Sequence, residues 1–246
     1  TWGRVPPGLE ARRRRPRLSA RLDASLDPTT RLTLVSAPPG YGKSVAVAGW
    51  IVDRAIPMAW VSLDATASDP ARLARQLLSA LGGARPGAPT LAQAIAPGAS
   101  PDASALADLV VDAVAIDDDD LVIVLDDCHL ADGSEAVDLL RRLIERMPPF
   151  GHLVLVGRED CGLSLGRLRA HGALVELRAD DLRFTTEEAG EFLADAGIEA
   201  DPATLQGLVG TTEGWAAALQ LASIALSATT GPRPAGAVGS GTHRHL

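Results

Sequence analysis

The chain has 246 residues, of which 46% are hydrophobic and 3% aromatic, and a formal net charge of −8. That length suits one large domain, or one domain with a smaller companion, around a core of Leu, Val, Ile and Ala. An acidic chain poor in rings argues against a nucleic-acid surface, an acidic-lipid surface or a base-stacking platform.

Residues 1–30 are rich in Pro and Arg, with the run Arg12–Arg15 and then Arg17. They read as an N-terminal arm, and a short basic arm on an acidic chain is expected to be solvated or paired with acidic faces rather than bound to DNA. "RLTLVS", Arg31 to Ser36, reads as a strand, and a helix is predicted from Lys43 to Arg54. "MAWVSLD", Met58 to Asp64, is a second strand. Asp69-Pro70 opens a helix striped by Leu73, Leu77 and Leu81. Residues 82–101 read as a Gly/Pro/Ala loop, followed by a helix carrying Leu106, Leu109, Val110 and Ala113.

"LVIVLDD", Leu121 to Asp127, is a continuous apolar run of the kind found in strands buried on both faces. A helix over 133–147, a strand "HLVLVGR" from His152 to Arg158 and a shorter "ALVEL" from Ala173 to Leu177 complete the alternation. Strands alternating with helices predict a mainly parallel five-stranded sheet covered by helices, with residues 31–182 as its core. The pattern then changes. Thr185-x-x-Glu188 is a capping box, Asp201-Pro202 opens a second helix, and Thr212 is predicted to open a third carrying Trp215, Leu219 and Ala222. Residues 183–228 thus read as a small helical subdomain and 229–246 as a disordered linker or tail. Trp50, Trp60 and Trp215 fall on apolar patterns and are expected in the core, whereas Trp2 is expected to be disordered.

Cys128 and Cys161 have no framework spacing, which predicts inert thiols in a reducing compartment. No apolar run reaches the ~18 residues of a membrane span, and no apolar signal region follows the N-terminal arginines. The expectation is a cytoplasmic chain without a membrane partner. It starts at Thr1 rather than Met, which reads as either a cropped module or a degenerate product.

The seam between the first strand and its helix carries the chemistry. Positions 37–44 read Ala37, Pro38, Pro39, Gly40, Tyr41, Gly42, Lys43 and Ser44, with Val45 following. Gly-x-x-x-x-Gly-Lys-Ser/Thr wraps a loop around a phosphate, its amides pointing inward and a helix N-terminus behind it. Lys43 would reach the β- and γ-phosphates, and Ser44 would offer its hydroxyl to Mg²⁺. Ala37 replaces the first glycine at a position leaving the strand, where a positive φ is not required. Tyr41 is expected to face outward, over the nucleotide or a neighbouring subunit.

Ligands of open α/β sheets collect at the C-terminal strand ends. Asp126 would hold Mg²⁺ there, and Asp127 could orient or deprotonate an attacking water. If the strand ending at Arg158 lies between those of the loop and of Asp126, its guanidinium would face the γ-phosphate. Asp117–Asp120, at the opposite strand end, read as a solvated turn, and His129 as a helix-start or packing residue.

"LVSAPPGYGKS", "WVSLD", "VIVLDDCHL", "LVLVGR" and "LRFTTEEAGEFL…TEGWAAALQLA" together resemble the MalT-like branch of the STAND NTPases. These are the signal-transduction ATPase modules of large LuxR-type transcriptional activators. The likeness runs from about Arg15 to Leu226, and the Ala37 departure is typical of the branch. It implies an ASCE-type P-loop NTPase that holds ADP at rest, exchanges it for ATP on induction and then self-associates. By the same likeness Arg15 and Arg17 lie beside the adenine, and Arg158 corresponds to the sensor arginine. Sensor and DNA-binding segments of whole members are not visible in this sequence, so DNA contact is expected only through domains outside it. Two alternatives stand beside this reading. One is a P-loop kinase with a small acceptor, its lid at 163–172 with Arg167 and Arg169; the other is an interaction domain that binds nucleotide without turnover.

Overall fold

The computed structural model describes residues 5, 6, 9, 15–96 and 101–229. The chain divides into two compact units, one ending at Arg183 and the other beginning at Phe184. Trp2, Arg12–Arg14 and the tail from 230 onward lie outside the described residues.

In the first unit, α1 (Pro16–Leu22) leads through a 3₁₀ turn to β1 (Leu32–Ser36), then α2 (Lys43–Arg54), β2 (Met58–Ser62) and α3 (Pro70–Leu81). Next come α4 (Ala88–Leu91), α5 (Ala103–Val114), β3 (Leu121–Asp126), α6 (Ser134–Arg146) and β4 (Gly151–Gly157). The unit closes with α7 (Gly166–Ala170), β5 (Leu174–Leu177) and α8 (Ala179–Leu182). The five strands form one sheet in the order β2-β3-β4-β1-β5, and every pairing is parallel.

Alternation along the buried strands sorts the core into two layers. Leu121, Ile123 and Leu125 of β3, with Leu153 and Leu155 of β4, join the core built by α3, α5 and α6. Val122, Val124, Val154 and Val156 point the other way, into a smaller core with α1 and α2. One face is therefore lined by long Leu and Ile side chains under three helices, the other by short valines. A three-layer α/β sandwich follows.

Part of the expected N-terminal arm is folded. Leu18 and Leu22 of α1 are buried with Trp50, whose ring is fully enclosed. The indole Nε1 donates to Asp23 Oδ1 at 3.0 Å, and Arg54 donates to both oxygens of the same carboxylate. The Arg54 hydrogen bond is the main reason the Asp23 carboxyl titrates below its usual range.

The expected loop over 82–101 also has structure, because α4 and a 3₁₀ turn at Ala92–Ala94 fall within it. Its anchor is Arg85, 1% exposed, whose guanidinium donates to the carbonyl oxygens of Val114, Asp117 and Asp119. The acidic turn is thus held from beneath, and Asp120 also meets His152 Nε2 at 2.9 Å. Its side chains face solvent, but its backbone is tied down.

At the β5 edge Glu176 accepts from Arg169 and Arg178. Arg169 foremost, these guanidiniums hold its carboxyl down at about 2. A depressed carboxyl adds stability that is complete above its unfolded value and lost as pH falls toward its folded one.

In the second unit α9 (Thr186–Asp195), α10 (Pro202–Thr212) and α11 (Ala216–Thr229) follow in order. The Thr185–Glu188 capping box forms as read, and Asp201 caps α10. Thr212 does not open the third helix. It ends α10, because Glu213 and Gly214 both take left-handed φ values, 50° and 69°, and break the chain's winding before Ala216. Trp215 at that break is 38% exposed rather than core. Phe184 and Phe192 stack edge to face at 5.6 Å, and the Phe184 amide donates to the Gly214 carbonyl.

Candidate nucleotide-binding site

The loop between β1 and α2 takes the shape its glycines permit. Gly40 and Gly42 have φ of 81° and 75°, a region in which an L side chain is strained. Ala37 is not among the positive-φ residues. It is buried, and its amide pairs with the Gly157 carbonyl at 3.2 Å, so it continues the sheet rather than turning. An alanine therefore serves where a glycine is common. Tyr41 is half-buried against the valine-side core instead of facing fully outward.

The helix behind the loop is open at its start. α3, α5, α9 and α10 each begin under an Asp or Thr side chain that accepts their first amides. α2 begins at Gly42 with no side-chain cap. α6 also starts at a glycine without a side-chain cap, but only at α2 do the open amides and the positive end of the dipole, which favour an anion, adjoin this loop. Lys43 Nζ donates to the carbonyls of Ala37 and Pro38 at 2.8 and 3.1 Å, which folds the ammonium back across the loop.

β3 delivers Asp126 to the same place. Ser44 Oγ donates to Asp126 Oδ1 at 3.0 Å, joining residues 82 positions apart, and the Asp127 amide donates to the same oxygen. Asp126 is 8% exposed, and burial is the main cause that raises its carboxyl above the usual range, with the Asp127 charge adding to it. Asp127 has a left-handed φ of 57° and a half-exposed side chain, 3.9 Å from His129 Nδ1. β4 lies between β1 and β3, so Arg158, the residue after its end, emerges between the loop and the carboxylates. The Lys43 ammonium is lowered chiefly by burial, is raised in turn by the charges of Asp126 and Asp127, and is lowered again by that of Arg158. The four charges converge.

A hard oxygen pair, Ser44 and Asp126, beside a phosphate loop fits Mg²⁺, which takes one or two protein oxygens and completes its shell with water and phosphate. The buried carboxylate lacks a full counter-charge, which a cation would supply. No group of three or more His, Cys, Asp or Glu that could hold a metal alone occurs among the described residues. Because its folded pKa lies above its unfolded one, Asp126 contributes stability that is complete at low pH and lost as pH rises through the folded value. Asp126→Asn keeps both acceptor contacts and removes the buried charge. It should raise the thermal midpoint of nucleotide-free protein at neutral pH while weakening any Mg²⁺-dependent binding, both readable by melting with and without Mg²⁺.

Arg15 and Arg17 stand at the start of α1 in the same unit. Arg15 donates to the carbonyls of Leu182 and Arg183, and Arg17 to those of Asp181 and Arg183, so both clamp the end of α8. The inert-thiol expectation is overturned, since Cys128 and Cys161 are joined as a disulfide with Cα atoms 5.7 Å apart. In the expected lid, Arg169 is committed to Glu176. Arg85, the cysteine pairing and the ion pairs of β5 escaped sequence reading because none has a local pattern.

A five-stranded parallel sheet with this loop, and with a strand inserted between the loop strand and the acid strand, defines a P-loop NTPase of the ASCE type. The profile described as "AAA ATPase domain" matches residues 11–156, more than half of the chain, and the chain belongs to that family. It is 33% identical over 220 residues to the HTH-type transcriptional regulator MalT of Serratia proteamaculans, covering 87% of this chain and 23% of that one. It is 32% identical over 205 residues to the serine/threonine-protein kinase PknK of Mycobacterium tuberculosis, covering 80% of this chain and 18% of that one. The chain thus spans about a fifth of these relatives' length, and the likeness is that of a MalT-like STAND module. Among solved structures, the Walker-type ATPase PABY2304 of Pyrococcus abyssi aligns at TM-score 0.55 and 14% identity over 86% of this chain and 66% of its own. The Aeropyrum pernix ORC1 protein, solved with DNA, aligns at 0.54 and 18% over 90% and 62%. These two share the fold. No helix among the described residues is long and apolar enough to cross a membrane.

Proposed function

We propose that this ATPase-type regulatory module is a nucleotide switch of a MalT-like transcriptional activator, binding ADP or ATP with Mg²⁺ and hydrolysing ATP slowly. The observation that carries the reading is the Ser44–Asp126 hydrogen bond beneath an uncapped helix start. Ala37 to Val45 would wrap the phosphates with main-chain amides, and Lys43 would exchange its loop carbonyls for the β- and γ-phosphate oxygens. Ser44 and Asp126 would hold Mg²⁺, which supplies charge neutralisation on the transferring phosphoryl group. Asp127, displayed by its left-handed backbone, would orient the attacking water and accept its proton. Arg158 would sense the γ-phosphate from the middle of the sheet edge. The clamp of Arg15 and Arg17 on α8 would border the adenine.

In this reading the chain acts in the cytoplasm, the ATP form self-associates, and DNA is met only through domains outside these residues. Calorimetry with ADP and ATP, with and without Mg²⁺, tests it. The expected result is saturable binding of both nucleotides and ADP retention through purification. Heats no larger than dilution in all four titrations would rule the switch out. Phosphate release that requires an added acceptor would replace it by a kinase, and binding without any release would replace it by a nucleotide-stabilised interaction domain.

A further inference from the structure

The candidate site has a feature that phosphate chemistry does not require. Cys128 directly follows Asp127, and Cys161 lies three residues beyond Arg158. Their disulfide therefore joins the turn that presents the carboxylates to the loop that presents the arginine, across 33 residues of sequence. Two features of the surroundings accommodate it. A Cβ on Gly157 would stand 2.7 Å from Cys128 Sγ and 3.4 Å from Cys161 Sγ, so the end of β4 is kept bare where the sulfurs meet. Cys161 holds φ of 51° and Gly162 φ of 67°, two successive left-handed residues that turn the chain and bring the sulfur inward. The other side of the loop is fastened by Asp160 to Arg178, next to the Glu176 cluster. The segment bearing Arg158 is thus moored on both flanks, to β3 by sulfur and to β5 by charge, and only the sulfur mooring can be undone by redox chemistry.

We propose that Cys128 and Cys161 are a reversible dithiol–disulfide couple whose oxidised form fixes Arg158 relative to Asp126 and thereby tightens nucleotide binding. The second half of this proposal rests on the nucleotide reading above. The oxidant is a low-molecular-weight disulfide, RSSR. Cys161 is the less deeply buried residue of the two, 4% exposed against 0% for Cys128, and is assigned the first attack. Its thiolate attacks one sulfur of RSSR, expelling RS⁻ and leaving a mixed disulfide on Cys161. The Cys128 thiolate then attacks the Cys161 sulfur and expels the second RS⁻. Two electrons pass from the protein to RSSR, and the two protein protons end on two molecules of RSH. Two molecules of RSH reverse both steps. The oxidised form binds more tightly because a group held in its bound position before the ligand arrives has less freedom left to lose.

The test uses the whole chain equilibrated in glutathione buffers from reducing to oxidising. Free thiols are counted by alkylation and intact mass, and Mg-ATP affinity is measured by calorimetry at the two extremes. Both cysteines are expected to convert together within that range, with affinity three- to tenfold tighter in the oxidised form. Cys161→Ser and, separately, Cys128→Ala are expected to bind as the reduced parent does and to ignore the buffer; should either fail to fold, the parent's own two forms still decide. Thiols that remain alkylatable in every buffer, or a bond that no glutathione buffer opens in native protein, would overturn the couple. Equal affinities in the two forms would overturn the coupling alone. Absence of binding in both forms, with conversion intact, would overturn the nucleotide reading and the coupling with it.

Discussion

Lys43→Ala should lower ATP affinity by about 30- to 150-fold, the equivalent of about 2–3 kcal/mol for a charge-assisted contact. The ammonium is half-buried at the open end of α2, already partly desolvated, and its existing partners are two loop carbonyls. A polyphosphate is a stronger acceptor than a neutral carbonyl, so bringing in the nucleotide improves the lysine's bonding at little further desolvation cost. Removing the side chain leaves the phosphate charge facing only amides. Those amides persist, which is why a residual affinity is expected. The two carbonyls released by the substitution can reach water, so the thermal midpoint of the free protein should shift by little. Calorimetry and melting on the same preparation separate the two effects. Parent-like ATP affinity in a folded Lys43→Ala protein would refute a phosphate-binding loop.

The largest loss of stability should come from Trp50→Ala, about 3–5 kcal/mol, read from the urea midpoint of unfolding. The indole is wholly enclosed on the valine side of the sheet, where α1 and α2 meet. Its removal leaves a cavity between two helices and strips Asp23 of one of its donors. Arg54 still holds that carboxylate, so an unpaired charge is not created and the loss is mainly one of packing. Trp50→Phe, which refills part of the space without the Nε1 donor, should recover more than half of the loss. A Trp50→Ala protein unfolding within 1 kcal/mol of the parent would mean that α1 is not a packed part of the first unit.

α2 also links the two predictions. The helix whose first turn faces the candidate phosphate site is fixed from behind by Trp50 in its third turn, with Asp23 and Arg54 at its edge. Substitution at Trp50 should accordingly weaken nucleotide binding as well, through looser positioning of the amides rather than loss of a contact.

The readable parts of this chain share one property: their physics is local. β3 and β4 are continuous apolar runs, and such runs can be satisfied only when both faces are covered. Asp69, Thr185 and Asp201 stand where a helix's first amides need acceptors, so their helices begin where the side chains cap them. Gly40 and Gly42 mark a turn that other residues resist, and Lys43-Ser44 follows at the helix start that makes such a turn useful. Local errors had local causes too. Thr212 has the composition of a cap, but the left-handed pair Glu213-Gly214 delays the next helix to Ala216. Trp215 kept its place in an apolar pattern yet sits at the break, where it is exposed.

The alternating framework, the loop between β1 and α2, and the identity of the acid at the end of β3 are legible along the chain, because period, turn chemistry and strand length are written in neighbouring residues. The position of β4 between β1 and β3, the hold of Arg85 on the acidic turn, the clamp of Arg15 and Arg17 on the end of α8 and the meeting of Cys128 with Cys161 arise in the folded chain alone. Each of those joins residues far apart in the chain, and such a pairing becomes favourable only when the packed sheet has already brought them together, so no short stretch of sequence carries its signal.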